Sequence, residues 1–333
     1  MAYSLTESEI EELALEILKK DLKYDILHGP DIAPDGPSPE RKSYSDVVLI
    51  DRLRDAIDRL NPEIPAEAKE EAIKQLLRSE SPALVVNNRR FHKMLANGVD
   101  VEYRRGDRVV SDKVWLFDFK DISENEFLAV NQFTVIENNH NRRPDIVLFV
   151  NGLPLAVIEL KNPADENATA HSAFKQFQTY KLQIPSLFNF NEILVVSDGF
   201  DAKAGTITSE WERFQPWKTS DGKTKAPSVT PQIEVLLKGM FNKEVLLDLV
   251  RHFVVFEQEK DFKSGTIKIS KKIAAYHQYY AVNKAVAETL KAADARGDKR
   301  CGVVWHTQGS GKSLSMVFYA GKLVLSMDNP TIV

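Results

Sequence analysis

The chain contains little of what marks a secreted or membrane-spanning protein. Among its 333 residues, Cys301 is the single cysteine, which excludes an internal disulfide and fits a reducing cytoplasm. No apolar run is long enough to cross a bilayer, and the acidic N-terminus MAYSLTESEIEE lacks the pattern of a signal peptide. The net charge of −4 argues against binding nucleic acid through charge alone. We therefore expect a cytoplasmic globular protein of one large or two ordinary domains, without contact with membranes.

An apolar stretch with one turn in its middle carries the strongest structural signal. Residues 141–161 read NRRPDIVLFVNGLPLAVIELK, and the Asn-Gly pair between the two apolar runs predicts a β-hairpin. Asp145 opens the first strand, while Glu159 and Lys161 share a face at the end of the second. Two carboxylates can bind Mg²⁺, and a neighbouring lysine can act on the water that attacks a phosphate. This group suits the cleavage of a phosphodiester.

The register of the hairpin decides whether the two carboxylates meet. A two-residue loop pairs Asp145 with Ile158 and sends Glu159 to the opposite face. A three-residue loop or a one-residue bulge instead pairs Asp145 with Glu159. The nuclease interpretation requires the longer connection. The alternative is a plain hairpin with solvated charges at its ends, and the spacing alone does not choose between them.

Two motifs in sequence resemble a known nuclease signature. The segment from Pro144 to Lys161 resembles the PD-(D/E)xK pattern. Further on, Gln176 and Tyr180 match the QxxxY element of the RecB-like branch of those nucleases, and they share one face if the segment is helical. Taken apart from the motif, Tyr180 could equally be an ordinary core residue and Gln176 an ordinary surface residue.

Longer stretches resemble one enzyme family. The segments RRPDIVLFVNGLPLAVIELKNP, NRRFHKMLANGVDVEYR, VVSDGFDAKAGT and VWHTQGSGKS are similar to the restriction (R) subunit of type I restriction–modification enzymes. The resemblance implies an α/β fold with a PD-(D/E)xK nuclease core, a mixed sheet flanked by helices, over residues 1–257. It implies the start of a RecA-like P-loop ATPase domain, incomplete here, over residues 258–333. The implied partners are double-stranded DNA and the methylation (M) and specificity (S) subunits.

The same resemblance assigns roles to the nuclease motif. Asp145 and Glu159 would bind Mg²⁺, and Lys161 would work on the attacking water. Gln176 and Tyr180 would organise the site and the DNA. The activity implied is that of a type I site-specific deoxyribonuclease whose cutting follows ATP-driven translocation in the full enzyme.

Three charged residues near the motif are weaker candidates. Glu11, on the first predicted helix, falls where the family often has a further metal-binding acid, although a solvated acidic face explains it as well. Arg142 and Arg143 adjoin the predicted metal-binding strand, where a bound phosphodiester needs cations. Basic clusters of this kind are otherwise solvated surface.

A second motif predicts phosphate binding near the C-terminus. Residues 302–305 (GVVW) read as a short buried strand, and a glycine-containing loop and a helical run follow, which is the context of a phosphate-binding loop. Lys312 would neutralise the outer phosphates of ATP and Ser313 would bind Mg²⁺, although His306 replaces the usual first glycine. Gln278, upstream, resembles the family's adenine-reading residue. The nucleotide-binding residues are therefore Gln278, Gly309, Ser310, Gly311, Lys312 and Ser313.

Periodicity predicts the remaining elements, and the missing motifs suggest a fragment. No acidic Walker B segment follows the phosphate loop, so we expect an N-terminal fragment without ATPase activity of its own. Two other interpretations remain: a DNA-binding or assembly fragment with no activity, or a DNA repair nuclease or RNA helicase that shares both modules.

The predicted helices are residues 6–23, 46–60, 65–78 and 167–181, with a helical pattern in 232–256. The predicted strands are 99–104, 113–119, 127–137 and 193–196.

Overall fold

Helices surround a central sheet in the computed structural model of the chain, which describes residues 6–162, 169–260, 266–305, 307–327 and 330–332. The first helix begins with a capping box, in which the Thr6 hydroxyl accepts from the Glu9 N–H and the Glu9 carboxylate accepts from the Thr6 N–H. It continues into a π-helical turn, Ile17–Asp21. The helices are α1 (Glu7–Glu16), α2 (Ile50–Leu60), α3 (Ala66–Leu77), α4 (Leu84–Asn97), α5 (Ala170–Gln183), α6 (Pro185–Asn189), α7 (Gln232–Met240), α8 (Lys243–His252), α9 (Tyr276–Ala293) and α10 (Lys312–Ser326).

Within the described residues, the strands form one large sheet and three small two-stranded ribbons. They are β1 (Asp25–His28), β2 (Val99–Arg105), β3 (Arg108–Val114), β4 (Phe127–Asn131), β5 (Val135–Glu137), β6 (His140–Arg142), β7 (Ile146–Val150), β8 (Leu153–Leu160), β9 (Ile193–Ser197), β10 (Ala202–Gly205), β11 (Val254–Lys260) and β12 (Ile267–Ile273). The large sheet has the order β1-β4-β7-β8-β9-β10. The pairs β1–β4 and β8–β9 are parallel and the other neighbours are antiparallel. The expected mixed sheet flanked by helices is confirmed.

The two central strands of the large sheet lie inside the hydrophobic core. Every residue of β7 and β8 is buried, as expected for strands that helices cover on both faces. Helix α5 contacts β8 and β9, and α1 contacts β8. The predicted hairpin is therefore an interior element of the molecule.

The hairpin turn is a two-residue loop that the surrounding chain holds firmly. Asn151 and Gly152 both have positive φ, 49° and 77°, which is the backbone of a type I′ turn. The Asn151 side-chain amide donates to the Leu116 carbonyl at 2.9 Å, and the Gly152 carbonyl accepts from the Leu49 N–H at 2.9 Å. A Cβ on Gly152 would lie 2.4 Å from the Leu49 carbonyl oxygen. Only glycine meets both requirements here.

A one-residue bulge changes the register after this turn. Next to the turn, Phe149 pairs with Pro154, but Leu148 pairs with Ala156, so Leu155 is the extra residue. Pro154 has no N–H to donate to the ladder, which favours an interruption at this point. The Leu155 carbonyl instead accepts from the Glu192 N–H at 2.7 Å. The connection is therefore longer by a bulge, and the loop itself keeps two residues.

Several predicted elements differ from the structure. The predicted strand 302–305 is wrong: these residues form no strand, and Val303 and Trp305 are 92% and 90% exposed. A strand needs hydrogen-bonding partners, and no described strand lies beside this segment. The predicted strand 127–137 is two strands, because Gln132 takes a positive φ of 55° between them.

One helix and one strand position were not foreseen correctly. Helix α4 was missed because two of its four buried residues, Asn88 and His92, are polar and obscure the apolar periodicity. The predicted strand 113–119 lies at Arg108–Val114 as β3, which pairs with β2 across a Gly-Asp turn.

The predicted domain line at residue 258 falls inside β11, which pairs with β12. Apolar side chains from both sides of that line belong to one continuous core, with Phe253 in ring contact with Tyr279 and with Phe318 at 4.9 and 5.4 Å. The division into 1–257 and 258–333 stays a prediction.

Replacing Gly152 with alanine should destabilise the protein by about 2–4 kcal/mol, because the strained backbone cost adds to a clash with the Leu49 carbonyl. The matched control is Gly106→Ala, which also has positive φ, 64°, but has nothing within 4 Å of its new Cβ. It should cost only about 1 kcal/mol. Urea unfolding measures the free energy of unfolding of both variants. Equal losses would contradict the close packing of the Leu49 carbonyl against the turn.

Candidate active site

The bulge brings Asp145 and Glu159 together at one end of the hairpin. Ile146 pairs with Ile158, and one further step in the same register sets Asp145 opposite Glu159. Side chains directly opposite each other share a face of the sheet. The Leu160 N–H donates to the Asp145 carboxylate at 2.6 Å, which holds this carboxylate across the strand pair.

Both carboxyl groups are buried, and burial changes their acidity. Asp145 is 7% exposed and Glu159 is 1% exposed. Burial raises the pKa of Asp145 to about 6, although the Leu160 N–H and Lys161 oppose the rise. Burial and the nearby Asp145 raise the pKa of Glu159 to about 8. A pair of buried carboxyls with raised pKa values is typical of a functional site.

Lys161 is the positively charged residue beside the two carboxyl groups. Its Nζ lies 2.9 Å from Glu159 Oε1 and donates to the Leu160 carbonyl at 2.8 Å. Its backbone N–H bonds the Ser197 carbonyl at 2.9 Å, so β9 fixes the end of β8. The side chain is 14% exposed, so its ammonium group lies at the edge of the buried site.

Gln176 and Tyr180 lie one turn apart on α5, beside the carboxylates. The Gln176 amide donates to the Tyr180 hydroxyl. Burial, together with the negative charge of Glu159, raises the pKa of Tyr180. The tyrosine is therefore within electrostatic range of the carboxylate and keeps its proton at neutral pH.

Asn131 and Gln132, which the sequence did not mark as site residues, contact Glu11 and the Asp145 backbone. Gln132, after β4, donates its backbone N–H to the Asp145 carbonyl at 2.8 Å, and its side chain donates to Glu11. The Asn131 amide donates to the other Glu11 oxygen at 2.7 Å. Glu7 and Glu11 both raise the pKa of Asp145 through their charge. Glu11 was a candidate metal-binding acid in the sequence, and that role stays a prediction, whereas no motif indicated Asn131 or Gln132.

The two arginines have different surroundings. Arg142 lies on β6, donates to the Gln183 side chain and lowers the pKa of Tyr180, so it borders the site. Arg143 is exposed. A DNA-binding role for either arginine stays a prediction.

The two carboxyl groups offer oxygen ligands to a metal ion. Glu159 Oε2 is buried and has no hydrogen-bond partner among the described residues, so one carboxylate oxygen has free lone pairs in the site. Carboxylate oxygens are the ligands that Mg²⁺ prefers, and it commonly keeps several waters. Within the described ranges, no three His, Cys, Asp or Glu side chains are arranged to hold a metal. The residues therefore fit an ion bound by two carboxylates and water, and not one in an all-protein cage.

A buried polar network lies behind the bulge, and no sequence motif announced it. Lys271 on β12 pairs with Glu192 at 2.7 Å, and His92 on α4 lies 3.1 Å from the same oxygen. Lys271 also donates to Asn88 Oδ1 and to the Asn191 carbonyl, at 2.9 and 2.8 Å. Burial alone would raise the pKa of Glu192, but Lys271 and His92 lower it below its ordinary value.

The phosphate-loop motif has part of its expected context. Lys312 and Ser313 begin α10, and Gly311 before them takes a positive φ of 77°. The Lys312 ammonium donates to the Thr307 carbonyl at 3.1 Å. Gly309 and Ser310 lie in the turn that precedes the helix. His306 lies outside the described residues.

Gln278 touches the loop directly. It is 5% exposed, accepts from the Ala275 N–H at 2.9 Å and donates to the Gly311 carbonyl at 3.0 Å. A Cβ on Gly311 would lie 2.6 Å from the Gln278 amide nitrogen. Both ends of this amide are thus engaged with backbone, so adenine reading by Gln278 would require it to release the Gly311 carbonyl.

The raised pKa of Glu159 predicts a pH-dependent cost of folding. Below pH 4.5 the Glu159 carboxyl is protonated in both the folded and the unfolded chain. As the pH rises from there to about 8, the carboxyl ionises only in the unfolded chain, so the stability of the fold falls. Above this window the loss of stability is complete. The side chain of Glu159→Gln is always neutral. Its free energy of unfolding, relative to that of wild type, should therefore rise by on the order of a few kcal/mol between pH 5 and pH 8.5. Urea unfolding in EDTA measures this.

The control for that measurement is Glu67→Gln, an exposed residue on α3. It should follow the wild-type pH profile. If Glu159→Gln also follows the wild-type profile, the carboxyl is not held in a buried, unfavourable environment.

Two parts of the chain match models of known protein families. A family model described as type I restriction enzyme R protein N terminus matches residues 4–213. A second, described as SWI2/SNF2 ATPase, matches residues 277–333. The first covers the candidate site and the second covers the phosphate loop and Gln278.

Curated relatives are similar over most of the chain. The type I restriction enzyme HindI endonuclease subunit of Haemophilus influenzae is 44% identical over 99% of this chain and 31% of that protein. The putative type I restriction enzyme MjaIXP endonuclease subunit of Methanocaldococcus jannaschii is 36% identical over 94% of this chain and 31% of that protein. The chain thus spans about a third of the length of these relatives.

Among the described helices, none combines the length and the apolar character that crossing a membrane requires.

The family resemblance seen in the motifs is confirmed. The matching model covers more than half of the residues, including every member of the carboxylate group. The chain therefore belongs to the family of type I restriction enzyme R protein N termini.

Proposed function

We propose that this chain is the DNA endonuclease module of an ATP-dependent type I restriction enzyme. The reaction proposed is Mg²⁺-dependent hydrolysis of a phosphodiester in double-stranded DNA. The proposal is carried by the register: the bulge sets Asp145 opposite Glu159, whose buried Oε2 has no hydrogen-bond partner in the part of the chain that the structure describes.

Asp145 and Glu159 are the proposed ligands of the ion. A bound Mg²⁺ would supply charge stabilisation at the phosphate and a more acidic water. The raised pKa of Glu159, about 8, means that ion binding at neutral pH must displace a proton from this carboxyl group, whereas Asp145, with a pKa of about 6, is already mostly ionised. Asp145 is already oriented, since the Leu160 N–H holds one of its oxygens.

Lys161 is the residue proposed to act on the attacking water. Its ammonium is shared between Glu159 and the Leu160 carbonyl, so it is fixed at the mouth of the site. From there it can orient water and stabilise negative charge that develops on the phosphate. Gln176 donates to the Tyr180 hydroxyl, and this pair is proposed to organise the site next to Glu159.

DNA would approach over the arginine-bearing ribbon. Arg142 and Arg143 lie at and beyond the end of β6, next to the strand that Asp145 opens. Phosphate contacts from arginine fix position without reading sequence. Choice of the DNA site is accordingly assigned to the specificity (S) and methylation (M) subunits as partners.

The phosphate loop is proposed to bind ATP in the longer protein, where its hydrolysis would drive DNA translocation. Lys312 and Ser313 lie at the start of α10, where backbone N–H groups and a cation would stabilise a bound phosphate. The match to an ATPase family over residues 277–333 supports this role.

The nuclease proposal predicts that Asp145→Asn, Glu159→Gln and Lys161→Ala each reduce DNA cleavage by the assembled enzyme at least about 100-fold, because each removes a metal ligand or a catalytic cation. DNA-stimulated ATP hydrolysis should remain near the wild-type rate. Glu67→Gln is the control and should cut normally. Near wild-type cleavage by any of the three variants would remove that residue from the mechanism.

The motor proposal predicts a complementary result. Lys312→Ala in the assembled enzyme should abolish ATP hydrolysis, since the cation on the outer phosphates is lost. Mg²⁺ binding to this chain, followed by calorimetry, should be unchanged in the same variant. By itself we expect this chain to show no steady-state ATP hydrolysis, and DNA-stimulated turnover that disappears with Lys312→Ala would contradict that expectation.

A further inference from the structure

Two side-chain amides beside the candidate site hold one acidic group between them. Asn131 is the last residue of β4, and Gln132 follows it. The Asn131 amide donates to one oxygen of the Glu11 carboxylate at 2.7 Å, and the Gln132 amide donates to the other oxygen. Because both donors are neutral, they fix the orientation of the Glu11 carboxylate without compensating its charge.

The backbone of Gln132 makes this convergence possible. Successive side chains of an extended strand point to opposite faces, so two neighbouring residues do not ordinarily reach one acceptor. Gln132 leaves the extended conformation with a positive φ of 55°, which is unfavourable for a residue with a side chain and is concentrated at functional sites. Gly29 packs against this turn, since its N–H donates to the Asn131 carbonyl at 2.8 Å and a Cβ there would lie 2.4 Å from the Gln132 carbonyl oxygen.

The same turn joins Glu11 to the strand of a proposed metal ligand. The Gln132 N–H donates to the Asp145 carbonyl at 2.8 Å, while its side chain holds Glu11. Glu11 is close enough for its charge to raise the pKa of Asp145. Helix α1, which carries Glu11, also contacts β8, the strand of Glu159. Glu11 is therefore fixed at the border of the carboxylate pair.

Glu11 lies beside the metal-binding pair and does not complete a cage with it. In the part of the chain that the structure describes, no three acidic, histidine or cysteine side chains are arranged to hold one ion. The two amides use two of the about four lone-pair positions of the Glu11 carboxylate. The other positions can accept from water, because the residue is partly exposed.

We propose that Asn131 and Gln132 are positioning residues that hold Glu11 as the hydrogen-bond acceptor of a water bound to the metal ion. This role rests on the proposed function, because it concerns the ion between Asp145 and Glu159. Mg²⁺ bound by two carboxylates keeps several waters, and groups that hydrogen-bond to the ligands of an ion tune its affinity. Each amide holds one oxygen, so the pair together prevents the carboxylate from rotating away from that water.

Titration of the chain with Mn²⁺, followed by calorimetry, tests this role. Gln132→Met keeps the backbone N–H that bonds Asp145 and removes only the side-chain amide. Glu11→Gln should weaken Mn²⁺ binding by about tenfold and Gln132→Met by about three- to tenfold, the size of effect expected when a group that orients a metal ligand is lost. Asn131→Leu removes the other amide and should weaken binding in the same way.

A double variant separates positioning from a general structural role. Gln132→Met combined with Glu11→Gln should bind Mn²⁺ like Glu11→Gln alone, because the amide acts only through the carboxylate. A loss of packing would instead weaken binding by the same factor in both backgrounds.

Glu12→Gln is the matched control. Glu12 is exposed on the same helix, and its replacement changes the net charge by the same amount as Glu11→Gln. This control should bind Mn²⁺ like wild type. Equal weakening by Glu12→Gln and Glu11→Gln would show that only the overall charge of α1 matters and would overturn the proposal.

A crystal of the chain soaked in Mn²⁺ provides a measurement independent of affinity. The nearer Glu11 oxygen should lie roughly 4 Å from the ion, with one water bound to both. A direct bond between Glu11 and the ion, at about 2.0–2.3 Å, would make Glu11 a ligand and would overturn its role as the acceptor of a bound water.

The positioning role and the nuclease function fail in different ways. If wild type binds no Mn²⁺, or if Asp145→Asn binds it as well as wild type does, both are overturned. If Asp145→Asn abolishes binding but Gln132→Met and Asn131→Leu stay within about threefold of wild type, only the positioning role is overturned. The same holds if Gln132→Met weakens binding equally with and without the Glu11 carboxylate.

Discussion

The one-residue bulge at Leu155 is the constraint on which the candidate site depends. With straight pairing from the two-residue turn, Asp145 would face Ile158 and Glu159 would point to the other side of the sheet. The bulge shifts the register so that the two carboxylates meet. The turn before it is held by buried contacts of Asn151 and Gly152, so the register cannot relax from that end.

A buried polar network supports the bulge from behind. The Glu192 N–H satisfies the Leu155 carbonyl, and the Glu192 carboxylate pairs with Lys271. Lys271 belongs to β12, which leads into α9, where Gln278 bonds the phosphate loop. Removing one partner of a buried ion pair commonly costs about 3–5 kcal/mol. The same contacts that secure the bulge therefore tie the sheet to the segment that carries the second motif.

Local signals in the sequence were sufficient for the hairpin and insufficient for its surroundings. The Asn-Gly pair predicted the turn, and Pro154 is the local cause of a bulge that spacing alone left open. Glu192 and Lys271 could not be foreseen, because their pairing joins distant segments that carry no motif. The segment 302–305 has the composition of a strand, but a strand also requires neighbours.

Locating a bound ion tests the central claim most directly. Crystals of this chain soaked in Mn²⁺, a stand-in for Mg²⁺ with a strong anomalous signal, would show where the metal lies. The account predicts one peak between Asp145 and Glu159, with Glu159 Oε2 and an Asp145 oxygen at about 2.0–2.3 Å and the rest of the shell filled by water. A peak elsewhere, or carboxylates on opposite faces of the hairpin, would contradict it.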